Sequence, residues 1–417
     1  MAQKPAGIGG ITPKATPTDS RSTSPAINGP GNRKCTSWIE SFVEHTENLE
    51  SPAIWRKWSA IGMIAAVLEQ KVWLESGGQL FPNLYTFLVG DPGLGKSRAI
   101  MAASNIVREH VPDVFFGATS MTRASLADYM VEAKRFFANI PYAPIEYNSL
   151  VAIADEFSAF MHEYDSALVA ALVEFYDVNP YSEGRRVSNI RIKIAKPQLN
   201  LLTGSTPSNL LHTLKDYVWD QGLMSRVIMI YASERPLIDT LNTPPPPKPV
   251  DLIHDIKVIN MLFGTFAFTP GFAKAMNDWK LLGQIPVPSH PKLAHYNSRR
   301  FAHLLKLSMI ASVDRSNDLK LDVVDFNKAM GWLLEAEATM PFIFEVGQVA
   351  PDSRVMDETV HFIKQFPGSV PEHKIINFLR GKVASNLVGP IMQTMIASRM
   401  IISRDIDEKG LRKFTAS

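Results

Sequence analysis

The residues best suited to chemistry lie at positions 90–98. Residues 90–97 read GDPGLGKS and match the pattern G-x-x-x-x-G-K-[S/T] in full. Glycines let backbone N–H groups wrap a phosphate, and a helix that starts here adds the positive end of its dipole. We expect Lys96 to reach the β- and γ-phosphates and the Ser97 hydroxyl to ligate Mg²⁺, so ATP and Mg²⁺ are the predicted ligands. The predicted nucleotide contacts are Gly90, Asp91, Pro92, Gly93, Leu94, Gly95, Lys96, Ser97 and Arg98.

Two carboxylates, Asp155 and Glu156, follow a second apolar run at residues 150–154. Asp155 can hold Mg²⁺ directly or through water, and Glu156 can orient and polarise an attacking water. Two acids in this position can also be a simple charge pair at a helix N-terminus. With the glycine segment upstream, we interpret Asp155 as a metal ligand and Glu156 as a catalytic residue, which favours hydrolysis over nucleotide storage.

Further polar candidates flank two other apolar runs. Residues 199–203 lead into Ser205, and a polar side chain here would sit between the metal acids and the γ-phosphate. Ser205 is the first choice and Thr203 the second, and plain turn chemistry is the alternative.

Arg226 precedes a last apolar run and could reach a nucleotide held by a neighbouring subunit as an arginine finger. For Arg226 the alternative is a surface ion pair.

The elements that must position these residues alternate between strand and helix patterns. This alternation predicts an α/β fold with a mostly parallel sheet. Besides residues 84–89, strands are expected at 113–116, 149–154, 198–203 and 226–231. Helices are expected at 96–109, 122–138, 166–176 and 207–216.

The rest of the chain divides by composition. Residues 1–36 are half Pro, Gly, Ser or Thr with no aromatic residue, which predicts a disordered arm, either inert or tethering a partner or DNA. Residues 37–80 should pack one helical face on the core, with Ser51 as N-cap and Pro52 as first helical residue. The core is predicted at 81–241, a Pro-rich linker at 242–250 and a helical segment at 251–347.

The last segment, residues 351–417, has its own pattern. Three helical runs precede two short β-type runs around the turn sequence at 407–410, which is a winged-helix outline. The segment has ten Lys/Arg and seven Asp/Glu, so it is only mildly basic. It could bind duplex DNA or recruit a partner protein, and the weak basicity favours the partner.

Composition excludes several classes of protein. Of 417 residues, 46% are hydrophobic and 20% charged, as in an ordinary globular protein. The 43 Lys+Arg and 41 Asp+Glu give +2, which excludes a strongly cationic coat but allows a local basic lining. The single cysteine, Cys35, excludes an intramolecular disulfide and favours a reducing compartment. Neither a signal-peptide core nor an uncharged run of ~18 residues is present, so we expect a cytoplasmic protein without a membrane partner.

The order of these parts resembles the AAA+ ATPases, specifically the helicase-like P-loop ATPases of phages and plasmids. These often accompany primases and share features with superfamily 3 helicases. The matching segments are FPNLYTFLVGDPGLGKS, LVAIADEFSAF, KPQLNLLTGSTP, GLMSRVIMIYASERP and YNSRRFAHLLKLSMIAS, within roughly residues 37–345. The resemblance implies an AAA+ core with a helical lid, from which Arg299 or Arg300 would touch the nucleotide as a sensor.

The same resemblance gives a role to residues 181–193, whose alternating pattern predicts a hairpin. In superfamily 3-like helicases a hairpin in this position lines the central pore and grips single-stranded DNA. The candidate phosphate contacts are Arg185, Arg186, Arg191 and Lys193. A solvated basic ribbon is the alternative, and no aromatic residue is available at the expected tip for base stacking.

Three functions are compatible with these features. The leading hypothesis is an ATP-driven DNA translocase or replicative helicase that works as a ring of identical subunits, expected to be a hexamer. The second is a helicase loader or replication initiator, and the third is a nucleotide-gated DNA-binding regulator. The acids at 155 and 156 argue against a pure switch. The sequence has no primase-like metal cluster, so any primase would be a separate protein.

Overall fold

The structure is a computed structural model that describes residues 32–137, 144–161, 165–185, 190–214, 222–239, 248–347, 351–406 and 412–416. The predicted arm up to position 31 and the predicted linker up to position 247 lie outside the described residues. The fold is mixed α/β, and its central sheet contains parallel strands.

Strands and helices are numbered in chain order. The strands are β1 (Val72–Glu75), β2 (Gln79–Leu80), β3 (Tyr85–Val89), β4 (Lys134–Phe137), β5 (Ile145–Ala154), β6 (Tyr181–Arg185), β7 (Ile190–Ile194), β8 (Pro197–Ser205), β9 (Val227–Tyr231), β10 (Gly264–Thr265), β11 (Ala267–Phe268), β12 (Lys320–Leu321), β13 (Val370–Pro371), β14 (Ile401–Ile406) and β15 (Arg412–Ala416). The helices are α1 (Trp38–His45), α2 (Ala53–Leu68), α3 (Lys96–His110), α4 (Arg123–Glu132), α5 (Phe157–Phe160), α6 (Ser166–Asp177), α7 (Pro207–Thr213), α8 (Val250–Asn260), α9 (Pro270–Leu281), α10 (Ala294–Asn297), α11 (Arg300–Arg315), α12 (Val323–Gly347), α13 (Pro351–Lys364), α14 (Glu372–Arg380) and α15 (Ser385–Ala397).

The central sheet has the order β4-β5-β8-β3-β9. Strands β5, β8, β3 and β9 are mutually parallel, and β4 is antiparallel to β5. The predicted mostly parallel sheet is therefore confirmed. At one edge of the sheet Val89 pairs with both Ser205 and Tyr231, so the carboxyl ends of these strands meet there. The strand expected at 113–116 is reduced to a single bridge between Phe116 and Val151.

Helix α2 is buried on nearly every side, not on one face as predicted. From Trp58 to Leu68 every residue is buried, because α2 lies in the interior between the sheet and other helices. A helix that is apolar all round belongs in an interior. Pro52 is its N-cap, and Ser51 makes no capping hydrogen bond, so the helix begins one residue later than expected. Among the described residues, no helix combines the length and apolar character needed to cross a membrane.

The end of the predicted arm is fixed to the helical segment. The buried Asp255 carboxylate accepts hydrogen bonds from the backbone N–H groups of Lys34 and Cys35. It also pairs with Arg33 at 3.1 Å. Residues 33–35 are therefore part of the folded body, and the segment called the arm ends earlier than position 36.

The segment from residue 351 has a separate hydrophobic core, which includes Ile375, Leu379, Met395 and Phe414. Helices α13, α14 and α15 pack beside a small sheet with the order β13-β15-β14. The three helical runs and the two β-type runs expected here are thus present as helices and strands. Its turn at 407–410 lies outside the described residues.

The helical segment contains a fully buried ion pair between α11 and α12. Arg300 donates to both carboxylate oxygens of Glu337 at 2.7 Å, and Tyr296 donates to the same carboxylate at 2.9 Å. Burial raises the pKa of Glu337, and the hydrogen bonds and charge of Arg300 oppose that rise. Removing one partner would leave the other charge buried without compensation.

We therefore predict that Arg300→Ala destabilises the protein by about 3–5 kcal/mol, because Glu337 loses its counter-charge. Chemical denaturation would measure the loss. Lys57→Ala is the control, since Lys57 pairs with Glu335, whose carboxylate is 39% exposed. An Arg300→Met/Glu337→Leu double variant should recover most of the loss. Equal stability of Arg300→Ala and the native protein would contradict the role of this pair.

Candidate functional site

The glycine segment, residues 90–97, forms the turn between β3 and α3. Gly93 and Gly95 have positive φ angles of 82° and 92°, which favour glycine. A Cβ on Gly95 would collide with the carbonyl oxygen of Glu50. A Cβ on Gly90 would lie 2.8 Å from the Trp55 ring. The segment is therefore wedged against the start of α2, with its backbone exposed at residues 91–93.

Lys96 opens α3 and is buried within this turn. Its ammonium donates to the carbonyl oxygens of Gly90 at 2.6 Å and Asp91 at 2.9 Å. Burial lowers the pKa of Lys96, and the carboxylates of Glu156 and Asp91 oppose that decrease. The ammonium thus faces the loop, where an anion could replace the carbonyl groups as its partner.

The predicted acids lie at the carboxyl end of β5, beside the end of β8. Ser205 donates to Glu156 Oε1 at 3.3 Å, and the backbone N–H of Thr206 donates to the same atom at 3.3 Å. Asn209, which the sequence analysis missed, also donates to Oε1 at 3.4 Å. Thr203 is fully buried and bonds only to the adjacent Gly204 carbonyl, so the structure favours Ser205 over Thr203. Because β8 lies between β3 and β5, Ser205 lies between the glycine segment and the acids.

These elements enclose a cleft of about 480 Å³, which we call the Lys96 cleft. Its lining residues are Pro92, Gly93, Gly95, Lys96, Ser97, Arg98, Asp155, Glu156 and Arg235. The volume is within the usual range for small-molecule sites. Arg235 is a second residue that sequence reasoning missed. It follows β9, and the parallel pairing of β9 with β3 brings it to the glycine segment.

The chemistry of the cleft fits a magnesium nucleotide. Mg²⁺ bound with a nucleotide usually needs only one or two protein oxygens, because phosphates and waters supply the rest. Ser97 and Asp155 provide such oxygens in the same cleft. No cluster of three or more His, Cys, Asp or Glu residues suited to a metal occurs in the part of the chain that the structure describes. An ion that arrives with the nucleotide does not require one.

Arg226 lies at the opposite, amino edge of the sheet, just before β9. Its guanidinium is 7% exposed and forms two hydrogen bonds with Asp177, at 3.2 and 2.5 Å. Arg299 donates to the same carboxylate at 3.0 Å and is 34% exposed. Burial would raise the pKa of Asp177, but the two arginines outweigh it and the pKa is lowered. Arg226 is thus part of an ion-pair network, which we call the Asp177 cluster; the Arg226 guanidinium is buried and the Asp177 carboxylate is partly exposed.

The Asp177 cluster continues into the interior through fully buried basic groups. Burial lowers the pKa of His303 to about 3 and that of Lys306 to about 7. His303 contacts the Ser225 carbonyl at 2.9 Å, and Lys306 donates to the side chain of Asn83 at 2.8 Å. Two arginines share one carboxylate here, so this edge of the sheet has an excess of positive charge.

The predicted sensor arginines do not lie in the Lys96 cleft. Arg299 belongs to the Asp177 cluster, and Arg300 is fully buried against Glu337. The resemblance suggested that a lid arginine would touch the nucleotide of its own chain. The structure instead places both residues on long-range ion pairs, which the sequence pattern could not reveal.

The predicted hairpin is present as the antiparallel pair β6–β7, but its basic residues differ in environment. Arg185 donates to Glu183 at 2.8 Å, to Asp128 at 2.9 Å and to the Ala124 carbonyl at 2.7 Å, so it anchors the hairpin to α4. Arg191 and Lys193 are exposed on one face, while Ile192 on the other face is buried. Arg186 and the hairpin tip lie outside the described residues.

The sequence matches no protein-family model, and a search of curated proteins gives no significant match. The assignment of a function therefore depends on the geometry of the Lys96 cleft and of the surfaces around it.

Gly204 offers a direct test of that geometry. A Cβ at this position would lie 2.5 Å from the Asp155 carbonyl oxygen and 3.4 Å from the Lys96 side chain. We predict that Gly204→Ala weakens binding of MgATP at least about tenfold, because the backbone that carries both residues must shift. Titration with a fluorescent nucleotide would measure the change.

Gly184→Ala is the control for this variant, since a Cβ on Gly184 meets nothing within 4 Å. If nucleotide affinity is unchanged in Gly204→Ala as well as in Gly184→Ala, the assignment of the nucleotide to the Lys96 cleft is contradicted.

Proposed function

We propose that the chain is an ATP hydrolase of the AAA+ type, with a P-loop at residues 90–97. The observation that supports this most strongly is the convergence of Lys96, Ser97, Asp155 and Glu156 on one cleft. Lys96 and the N–H groups at the start of α3 would hold the phosphates, and Ser97 with Asp155 would hold Mg²⁺. The metal ion would neutralise charge that develops on the phosphates.

Glu156 is the proposed catalytic base, and its surroundings suit that role. Its Oε1 atom accepts from Ser205, Thr206 and Asn209. No hydrogen bond from a described residue engages Oε2. The carboxylate is therefore oriented by one oxygen and can position a water molecule with the other. Ser205 acts here as a positioning residue for Glu156.

We further propose that the active protein is a ring in which Arg226 serves the nucleotide of a neighbour. The Asp177 cluster lies at the amino edge of the sheet and the Lys96 cleft at the carboxyl edge, so Arg226 cannot serve its own cleft. A head-to-tail contact would bring the two edges together and close into a ring. The excess positive charge of the cluster complements a cleft that contains two acids and a triphosphate. A hexamer remains the expected ring size.

We propose movement along single-stranded DNA as the work done by hydrolysis, which makes the protein a translocase or replicative helicase of the cytoplasm. Arg191 and Lys193 form an exposed basic face on a hairpin, as sequence-independent phosphate binding requires. We propose a winged-helix role for residues 351–417, which would bind duplex DNA or recruit a replication partner such as a primase.

A helicase loader or initiator is the second candidate, and one observation favours it. Arg185 is committed to Asp128 and Glu183, which removes one of the four predicted DNA contacts. Weaker binding to DNA is more suitable for a loader, which remodels a partner protein, than for a translocase, which moves along a DNA strand. A nucleotide-gated DNA-binding regulator stays the third candidate, because the same P-loop could act as a switch.

Hydrolysis should depend on two residues in separable ways. We predict that Lys96→Ala abolishes both nucleotide binding and turnover, because the phosphates lose their main cation. Glu156→Gln should retain binding while turnover falls at least about a hundredfold, since only the base is lost. Fluorescent nucleotide titration and phosphate release would separate the effects. Lys57→Ala, which removes a charge from an exposed surface pair, is the control. Normal turnover by Lys96→Ala would contradict the proposed function.

DNA engagement has its own prediction. Arg191→Ala/Lys193→Ala should weaken binding to oligothymidylate and reduce the slope of log K against log salt by about 1.4, or about 0.7 per phosphate contact. Fluorescence anisotropy at several salt concentrations would measure this. Lys257→Ala/Lys274→Ala removes the same charge elsewhere and should leave the slope unchanged.

Phosphate release with and without oligothymidylate then separates the first two candidates. Strong stimulation of hydrolysis by DNA, together with strand separation, supports a helicase, whereas hydrolysis that does not respond to DNA supports a loader.

An unchanged salt slope in the Arg191→Ala/Lys193→Ala variant would contradict the proposal that this face of the hairpin contacts DNA.

A further inference from the structure

One charged group of the Lys96 cleft has no role in the site as described so far. Arg235 follows β9 and crosses the glycine segment, where its Nη1 donates to the Gly93 carbonyl oxygen at 3.0 Å. The same nitrogen lies 3.3 Å from a carboxylate oxygen of Glu50. Arg235 is 36% exposed and lines the cleft together with Lys96 and Ser97.

Glu50 is held against the glycine segment by its backbone. Its carbonyl oxygen occupies the space that a Cβ on Gly95 would need. Its side chain is 18% exposed and also accepts from Arg98 at 3.1 Å. One carboxylate therefore pairs with two guanidinium groups that line the cleft, those of Arg98 and Arg235.

A phosphate group offers a guanidinium the same kind of oxygen acceptors as a carboxylate, with more negative charge. The Arg235 head group is partly exposed and its second bond is to a loop carbonyl, so a phosphate oxygen can replace either acceptor. A phosphate bound at the glycine segment would therefore compete with the Glu50 carboxylate for the Arg235 guanidinium.

We propose that Arg235 binds the phosphates of the nucleotide held by its own chain, and that the Glu50 carboxylate competes with the nucleotide for Arg235. This inference rests on the proposed ATPase function and adds one contact and one competitor to that site. It assigns to Arg235, within the same chain, the phosphate contact expected of Arg299 or Arg300, which are held in ion pairs and do not line the Lys96 cleft.

The test is a double-mutant cycle read by equilibrium binding of fluorescent N-methylanthraniloyl-ADP in the presence of Mg²⁺. Arg235→Gln should raise the Kd about tenfold, the usual consequence of losing one charge-assisted hydrogen bond. Glu50→Gln should lower the Kd about two- to fivefold, because the competitor for Arg235 is gone. The double variant should bind as weakly as Arg235→Gln, within about threefold.

A purely structural role for the pair makes the opposite prediction. If Arg235 only neutralises Glu50, then Glu50→Gln should not tighten binding, and the double variant should return to the native Kd. Either result would overturn the proposal, as would a native Kd in Arg235→Gln. Glu335→Gln, which removes the carboxylate of the surface pair with Lys57, is the matched control and should leave the Kd unchanged.

Failure of this inference is distinguishable from failure of the proposed function. Lys96→Ala is measured in the same titration. If the native protein binds the nucleotide and Lys96→Ala does not, the ATPase proposal stands whatever Arg235→Gln does. If Lys96→Ala binds as the native protein does, both proposals fail. Thermal unfolding of each variant checks that a change in Kd does not reflect loss of the fold.

Discussion

The site depends on the absence of side chains at Gly90 and Gly95. The first packs on the Trp55 ring and the second on the Glu50 backbone, with no space for a Cβ at either position. This contact joins the glycine segment to the interior helix α2, and Trp55 in turn donates to the Ile230 carbonyl in β9 at 3.0 Å. The turn therefore packs against the start of α2, and α2 is in turn held to β9 by the Trp55–Ile230 hydrogen bond. A preorganised turn can present its N–H groups to a phosphate without further ordering.

The two edges of the sheet carry different sets of charged groups, so the two ends of the parallel strands are chemically distinct. At the carboxyl edge, two acids and the glycine segment surround a cleft whose cations are Lys96, Arg98 and Arg235. At the amino edge, Arg226 and Arg299 share the single carboxylate of Asp177. In the proposed ring, the nucleotide phosphates would supply the negative charge that faces Arg226 and Arg299, whereas a two-fold contact between two amino edges would bring like charges together.

The sequence was informative where chemistry is local. The glycine segment, the acids after β5 and most apolar runs of the parallel sheet follow from patterns within about ten residues, and the structure has these elements where the patterns indicate. The exceptions are the strand expected at 113–116, which is a single bridge, and the helix expected at 122–138, which ends at Glu132 and is followed by β4. Contacts between distant residues were not predictable in this way. Arg300 reaches Glu337, Arg299 reaches Asp177, and Arg235 reaches Gly93 only because the tertiary fold brings them together. Helix α2 is a different case. Apart from Arg56 and Lys57 its run AIWRKWSAIGMIAAVL is mostly apolar, as is typical of an interior helix, whereas the prediction was burial of one face only.

The position of the hairpin connects the two proposed activities. Strand β6 starts only a few residues after Asp177, and Tyr181 at its start packs edge-on against Phe175 in α6 at 5.0 Å. At its other end, Arg185 ties the hairpin to α4, and α4 receives a hydrogen bond from Asn148 in β5 through the Met130 carbonyl. The hairpin thus contacts α6, which ends at Asp177, and is tied through α4 to β5, which Asp155 follows. In the proposed ring, Arg226 would engage a neighbour's nucleotide by changing its contacts with Asp177. Such a change would act on the C-terminus of α6 and, through Tyr181, on the base of the hairpin, which would couple the nucleotide of one subunit to the hairpin of its neighbour.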